Sequence, residues 1–253
     1  MTPKVYALTI AWNEAEMLPY WLRHYSTFCE KLIVYLEPST DNSEAIIKAY
    51  PKAELRKYPH RGLDDVRFIE AVNSWYKEFR GKADFAIFAD VDEILYHANP
   101  LKILAETKAD ILPATGYGMI SSEKLVQTGG QIYDTYRTGV PQDNYSKCII
   151  WRPEIDIQHQ IGRHTYGNEW PKSNGVRAAT VDFKLLHYHY FGVDYTTQRN
   201  RRNYARATDK ARAWNYEEKH NSNPNQNGSV AWVRAAIEKN KLIDVISDEP
   251  VLK

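Results

Sequence analysis

Strand-like runs alternate with helical patterning through the first 95 residues, and that alternation leaves little freedom of architecture. Residues 4–11 (KVYALTIA), 31–36 (KLIVYL) and 83–89 (ADFAIFA) carry the β-branched and aromatic side chains of buried strands, with a shorter strand expected over 54–58. Between them, 14–28 places Met17, Trp21, Leu22 and Tyr25 at helical spacing, with Asn13 as its expected cap. A helix over 43–50 follows a turn in which Asp41 or Asn42 can cap, and 63–79 repeats Val66, Ile69, Val72 and Tyr76 on one face. Strands joined by helices predict right-handed crossovers and a mostly parallel central sheet flanked by helices. Ligands of such sheets bind beyond the carboxyl ends of the strands. That rule gathers Trp12-Asn13-Glu14, Glu37, His60-Arg61 and Asp90 to Glu93 along one edge.

After Pro100 the pattern loosens. Strands are expected over 110–114, 147–151 and 183–191, an arginine-rich helix over 196–220, an exposed linker over 221–228 and a short helix over 229–240. Residues 116–141 and 154–180 read as irregular loops, and loops of that length serve a binding role more often than not. We expect one domain over 1–220, with 221–253 as linker and C-terminal helix.

Charge narrows the partners. With 33 basic and 32 acidic side chains the formal charge is +1, which gives no global pull toward nucleic acid or a membrane surface. The chain is 43% hydrophobic and 26% charged, as ordinary soluble globular proteins are. No stretch approaches the roughly 18 apolar residues of a membrane span, and no leader pattern precedes the first strand. A cytoplasmic protein is expected, with the periphery of a membrane open to it. Cys29 and Cys148 stand far apart without further ligands nearby and read as two buried free thiols. The 18 tyrosines and 7 tryptophans suit stacking on sugars and bases, and suit a core equally well.

The chemistry concentrates at Asp90-Val91-Asp92-Glu93. Three acidic groups in four residues repel one another unless a cation or water compensates them. In an extended strand tip, residues i and i+2 point the same way, so Asp90 and Asp92 are expected to converge. Asp92 would then bind a hard cation, Mn²⁺ or Mg²⁺, with Asp90 near the same ion or a ribose. Such an ion bridges phosphate oxygens and offsets charge as a diphosphate departs.

These residues resemble those of family-2-like glycosyltransferases of the GT-A fold, in particular a small subgroup with a D-x-D-E signature. The resemblance is carried by Asn13-Glu14, Trp21, His24-Tyr25, Ser39-Thr40-Asp41 and Asp90-Val91-Asp92-Glu93, followed by scattered matches at Lys147, Arg152-Pro153, His164 and His187. It implies a nucleotide-sugar-binding half over 1–95, an acceptor-side half over 96–220 and transfer of a sugar from a nucleotide-diphosphate sugar, with inversion. It places Trp12, Asn13, Glu14 and Glu37 around the nucleoside, although Glu37 stands where many relatives have Asp and Pro38 where many have Gly. Arg61 and Arg67 become partners for phosphate or donor sugar, with plain surface charge as the alternative. A late histidine often completes the metal shell in this fold. His187 is favoured, His189 shares its strand face, and His164 competes. The catalytic base is expected among Glu169, Asp182 and Asp134, with Glu169 first.

In the arginine-rich helix, Arg199, Arg202 and Arg206 share one face. A solvated surface is the simplest reading; contact with an acidic acceptor, lipid-linked phosphate or nucleic acid is the functional one. The acceptor is expected to be a saccharide or lipid-linked saccharide. Transfer to a hydroxymethylated DNA base or a protein, or a non-catalytic nucleotide-sugar-binding module, are the alternatives. A metal hydrolase is more distant, because it would want more acidic ligands at other strand ends than Glu37 alone.

Overall fold

The computed structural model describes residues 2–59, 62–160, 175–179, 181–208, 228–239, 242–247 and 249–250. Strands β1 (Val5–Ala11), β2 (Lys31–Leu36), β3 (Ala53–Lys57) and β4 (Phe85–Phe88) lie in the order β3-β2-β1-β4, all parallel. The runs of β1, β2 and β4 are largely apolar because both faces are covered, whereas β3 (AELRK), at the edge of the sheet, is charged and only partly buried. Ala7, Leu32, Val34, Phe85 and Ile87 pack on one side with Leu18, Trp21 and Leu22 of α1 (Leu18–Ser26) and Ile47 of α2 (Ser43–Lys48). Leu8, Ile33, Tyr35, Ala86 and Phe88 pack on the other side with Val72 of α3 (Asp65–Trp75), and with Tyr76 and Phe79 of the 3₁₀ turn that follows it. The expected fold class is the observed one: an α/β sheet, parallel at its centre and flanked by helices.

The second half adds antiparallel strands. β5 (Glu93–Tyr96) is followed by α4 (Pro100–Glu106), β6 (Ile111–Ser121), α5 (Ile132–Thr135), β7 (Thr138–Pro141), β8 (Lys147–Trp151) and β9 (Lys184–Phe191). Helix α6 is Gly192–Arg206 and α7 is Gly228–Glu238, followed by β10 (Ile243–Asp244) and β11 (Glu249–Pro250). β8 pairs antiparallel with β4, and β6 with β8. β6 then runs on, pairing with β7 along one side and parallel with β9 along the other, while β9 also pairs antiparallel with β5.

Several boundaries differ from expectation. The first helix starts at Leu18 with Met17 as its cap, so Asn13 does not cap it. Residues 116–141, expected as loop, hold the rest of β6, α5 and β7. Their glycines serve close packing instead of turns: a Cβ on Gly116 would collide with the Tyr145 backbone, and one on Gly118 with the Trp232 ring. The arginine-rich helix begins at Gly192 and stops at Arg206, well short of His220. Ala207 turns extended (φ −64°, ψ 134°). The backbone of Leu63 captures this end: Leu63 N–H donates to Arg206 O at 2.9 Å, and Thr208 N–H to Leu63 O at 3.1 Å. The expected linker 221–228 lies outside the described residues except for Gly228. Both cysteines are buried and free.

Candidate active site

The carboxyl ends of β1, β2 and β4 meet at one edge, and the first two loops there are locked together. Asn13 adopts φ 50°, a conformation that Asn tolerates better than most residues. Its side-chain carbonyl accepts from Thr40 N–H at 2.7 Å, and its own N–H donates to Ser39 Oγ at 3.0 Å. Glu14 N–H donates to Ser43 Oγ at 3.1 Å, and Ala15 N–H to Asp41 Oδ2 at 2.9 Å. Asn13 and Ser39-Thr40-Asp41 therefore fix loop geometry, and that leaves the Glu14 side chain to face the cleft.

The acidic tip does not stay extended. Glu93 N–H donates to Asp90 O at 3.0 Å, closing a turn in which Val91 is buried. The alternation expected to converge Asp90 and Asp92 is lost in that turn. Glu93 points inward, where Lys147 Nζ meets its Oε1 at 2.5 Å and Asp90 N–H donates to its Oε2 at 3.2 Å. Its charge is thus consumed in holding the turn. Asp92, 6% exposed, faces β9.

Strand register brings the histidines to Asp92. Glu93 pairs with His187 across β5 and β9, and Tyr188 N–H donates to Asp92 O at 2.8 Å. His187 and His189 project from the same face, as strand alternation requires. His187 Nε2 lies 3.3 Å and His189 Nδ1 3.8 Å from Asp92 Oδ2. The Tyr145 ring stands edge-on to His187, with centroids 4.3 Å apart. Burial pulls His189 down to about 4, with its bond to Asp92 pulling the other way, so its imidazole is neutral at pH 7. Burial alone would raise the Asp92 carboxyl; Arg199 and His187 beside it prevail and hold it well below the usual range.

The face made by Arg199, Arg202 and Arg206 covers this edge instead of facing solvent. Arg199 Nη1 donates to Asp92 Oδ2 at 2.6 Å and its Nη2 to Glu14 Oε1 at 3.0 Å. Arg202 stands 3.6 Å from the same Glu14 oxygen, and Arg206 pairs with Glu37. Burial raises the carboxyls of Glu14 and Glu37, and these arginines oppose the shift. The Arg206 guanidinium also lies 4.2 Å from the centre of the Trp12 ring, whose indole N–H donates to Pro38 O at 3.2 Å.

Of the residues singled out in the sequence, Trp12, Glu14, Glu37, Asp90, Asp92 and His187 line one cleft of about 190 Å³. Others are placed elsewhere. Asp134 accepts from Gln131 N–H at 2.7 Å in a capping box at α5 and is no part of the cleft wall. Asp182 is exposed two residues ahead of β9 and is no part of the cleft wall. Arg67 is 57% exposed and reaches Asp64 at 3.6 Å, so it too stays off the cleft wall. Arg61, His164 and Glu169 lie outside the described residues. Sequence reasoning missed Tyr145 altogether, because nothing in its local pattern marks it.

A divalent cation fits the donor set. Among the described residues, Asp92, His187 and His189 bring one carboxylate oxygen and two imidazole nitrogens within 4.8 Å of one another. One carboxylate with two imidazoles is a mixed oxygen and nitrogen donor set that first-row divalent ions accept. Asp90 lines the same cleft but is not a member of this group.

No family model and no curated protein matches the chain. Among solved structures it is similar to glucosyl-3-phosphoglycerate synthase from Mycobacterium tuberculosis in complex with Mg²⁺ and uridine diphosphate. That match has 14% identity and a TM-score of 0.46, over 73% of this chain and 71% of that one. A complex of the same synthase with Mn²⁺, uridine diphosphate and phosphoglyceric acid matches at 20% identity and TM-score 0.33, over 46% of this chain and 43% of that chain. The chain is also similar to 4-diphosphocytidyl-2C-methyl-D-erythritol synthase, at 14% identity and TM-score 0.42, over 72% and 89% of the two chains. These are likenesses of arrangement at low identity.

Proposed function

We propose that the chain is a metal-dependent glycosyltransferase that moves a sugar from a nucleotide-diphosphate sugar to an acceptor hydroxyl, with inversion. One observation carries this reading: Asp92, His187 and His189 cluster at the carboxyl edge of a parallel sheet, in a cleft that also presents Glu14, Glu37 and Arg206. Asp92, His187 and His189 would hold Mn²⁺ or Mg²⁺, which when bound offsets the charge gathering on the departing diphosphate. Trp12, Glu14 and Glu37 form the wall that receives the nucleoside, with Asp90 toward the ribose. Arg199 and Arg206 offer planar N–H forks suited to phosphate oxygens. Glu93 and Lys147 keep the turn rigid, so Asp92 is positioned before any ligand arrives. The base belongs to the acceptor-side half. Glu169 remains the residue of choice, because Asp134 and Asp182 are held away from the cleft. A saccharide or lipid-linked saccharide is the acceptor this reading favours.

The test is a panel of nucleotide sugars with Mn²⁺, following release of nucleoside diphosphate. The expected result is metal-dependent release with one donor, abolished in Asp92→Asn. Binding of a nucleotide sugar without any turnover would leave a binding module. Release of pyrophosphate from a nucleoside triphosphate and a sugar phosphate would make the chain a nucleotidyltransferase instead.

A further inference from the structure

Arg199 occupies the oxygen that a metal would need. Its Nη1 donates to Asp92 Oδ2 at 2.6 Å, and that same oxygen faces His187 Nε2 and His189 Nδ1 at 3.3 and 3.8 Å. A guanidinium and a dication repel each other and compete for one carboxylate oxygen. Arg199 has a second hold, however: its Nη2 donates to Glu14 Oε1 at 3.0 Å, from the loop after β1. It is only 8% exposed, so solvent gives it little compensation if Asp92 is taken away. The Nε atoms of Arg199, Arg202 and Arg206 are all buried and have no hydrogen-bond partner among the described residues. Three buried N–H donors without acceptors among the described residues, on a helix face whose Arg199 and Arg206 line the cleft, are a hydrogen-bonding capacity that a polyanion would satisfy.

We infer that Arg199 is an exchangeable occupant of the cation site: it closes Asp92 when no metal is bound, and when a cation enters it leaves Asp92, stays tethered to Glu14 and turns to the diphosphate. This rests on the metal reading of Asp92, His187 and His189. Metal alone must displace a guanidinium that has no new partner, so it binds weakly. Metal with diphosphate gives that guanidinium an anion, so the two ligands strengthen each other by linkage. The empty enzyme is thereby kept closed against a bare cation and opens to the cation together with its diphosphate.

The experiment measures Mn²⁺ binding to the full chain by calorimetry, with and without inorganic pyrophosphate, the part common to every nucleotide-diphosphate sugar. Arg199→Met should bind Mn²⁺ alone about tenfold tighter or more, the size of one charge-assisted hydrogen bond, and should lose a comparable factor of the strengthening by pyrophosphate. A wild-type measurement stands beside it in case the variant does not fold. Amide hydrogen exchange over 196–206 should quicken with saturating Mn²⁺ alone and slow again when pyrophosphate is added. Unchanged exchange, or equal Mn²⁺ affinity in wild type and folded Arg199→Met, overturns the exchange of occupants and leaves the metal reading intact. No Mn²⁺ binding to either protein, with or without pyrophosphate, overturns both.

Discussion

The parallel strands β1–β4 and the elements that follow Tyr96 contribute opposite chemistry to one cleft. The first half presents acids: Glu14 after β1, Glu37 after β2 and Asp92 after β4, all largely buried. The later half presents the groups that answer them: His187 and His189 from β9, and Arg199, Arg202 and Arg206 from α6. Buried carboxylates without partners cost several kcal/mol each, so the parallel sheet cannot close its own edge comfortably. Taken together, the two halves show a scaffold and a cover whose electrostatics are tolerable only when assembled. Glu93 is the instructive exception. It also comes from the first half and is answered by the later one, through Lys147 of β8, yet it lies under the turn and away from the cleft wall.

That contrast can be broken experimentally. The largest effect is expected from Lys147→Met, which leaves Glu93 buried and unpaired. Urea unfolding should show a loss of about 3–5 kcal/mol, and because this turn positions Asp92 the folded fraction should bind Mn²⁺ more weakly. Unchanged Mn²⁺ affinity would mean that scaffold and site are separable at this turn. The scaffold also has its own pH response through His24, whose Nε2 meets Leu95 O at 3.0 Å. Burial lowers His24 from 6.5 to about 4. Below 6.5 the unfolded chain takes up a proton that the folded one refuses, so stability falls as pH drops from 6.5 to 4 and levels off below that. The slope amounts to about 3 kcal/mol, and urea midpoints for wild type and His24→Gln across this window should differ by its disappearance in the variant.

On the side of the site, Asp92→Asn should reduce metal-dependent nucleotide release by at least about 100-fold in a steady-state assay. A smaller change would shift the weight of the chemistry to Asp90. The smallest effect belongs to Asp64, whose carboxylate caps α3 by accepting from Val66 N–H at 3.1 Å and Arg67 N–H at 3.3 Å. Asp64→Ala should cost about 1 kcal/mol in thermal or urea unfolding and leave turnover unchanged.

How much of this was legible in the sequence followed from range. β1, β2 and β4 were legible because a strand buried on both faces writes its apolar pattern locally. The shared face of His187 and His189 was legible for the same reason, since alternation is a nearest-neighbour property. The geometry of the acidic tip is not legible locally, because a turn in which Glu93 reaches back to Asp90 N–H replaces the alternation of an extended tip. Gly116 and Gly118 suggested loop, whereas they permit close approach of the Tyr145 backbone and the Trp232 ring inside a strand. The arginine spacing on α6 was plain, but its partners were not. Arg199 meets Glu14 across 185 residues and Arg206 meets Glu37 across 169, and no local pattern reports such pairings.

The hydrogen bond from Tyr188 N–H to Asp92 O, together with the Glu93–His187 register, pins β9 against the acidic turn independently of how the chain arrives there. The two imidazoles are therefore indexed by the neighbouring strands and not by the length of the excursion between Trp151 and Lys184. A change of length within that excursion leaves their address to the ladder, which sets where the two side chains stand whatever the route of the chain between them.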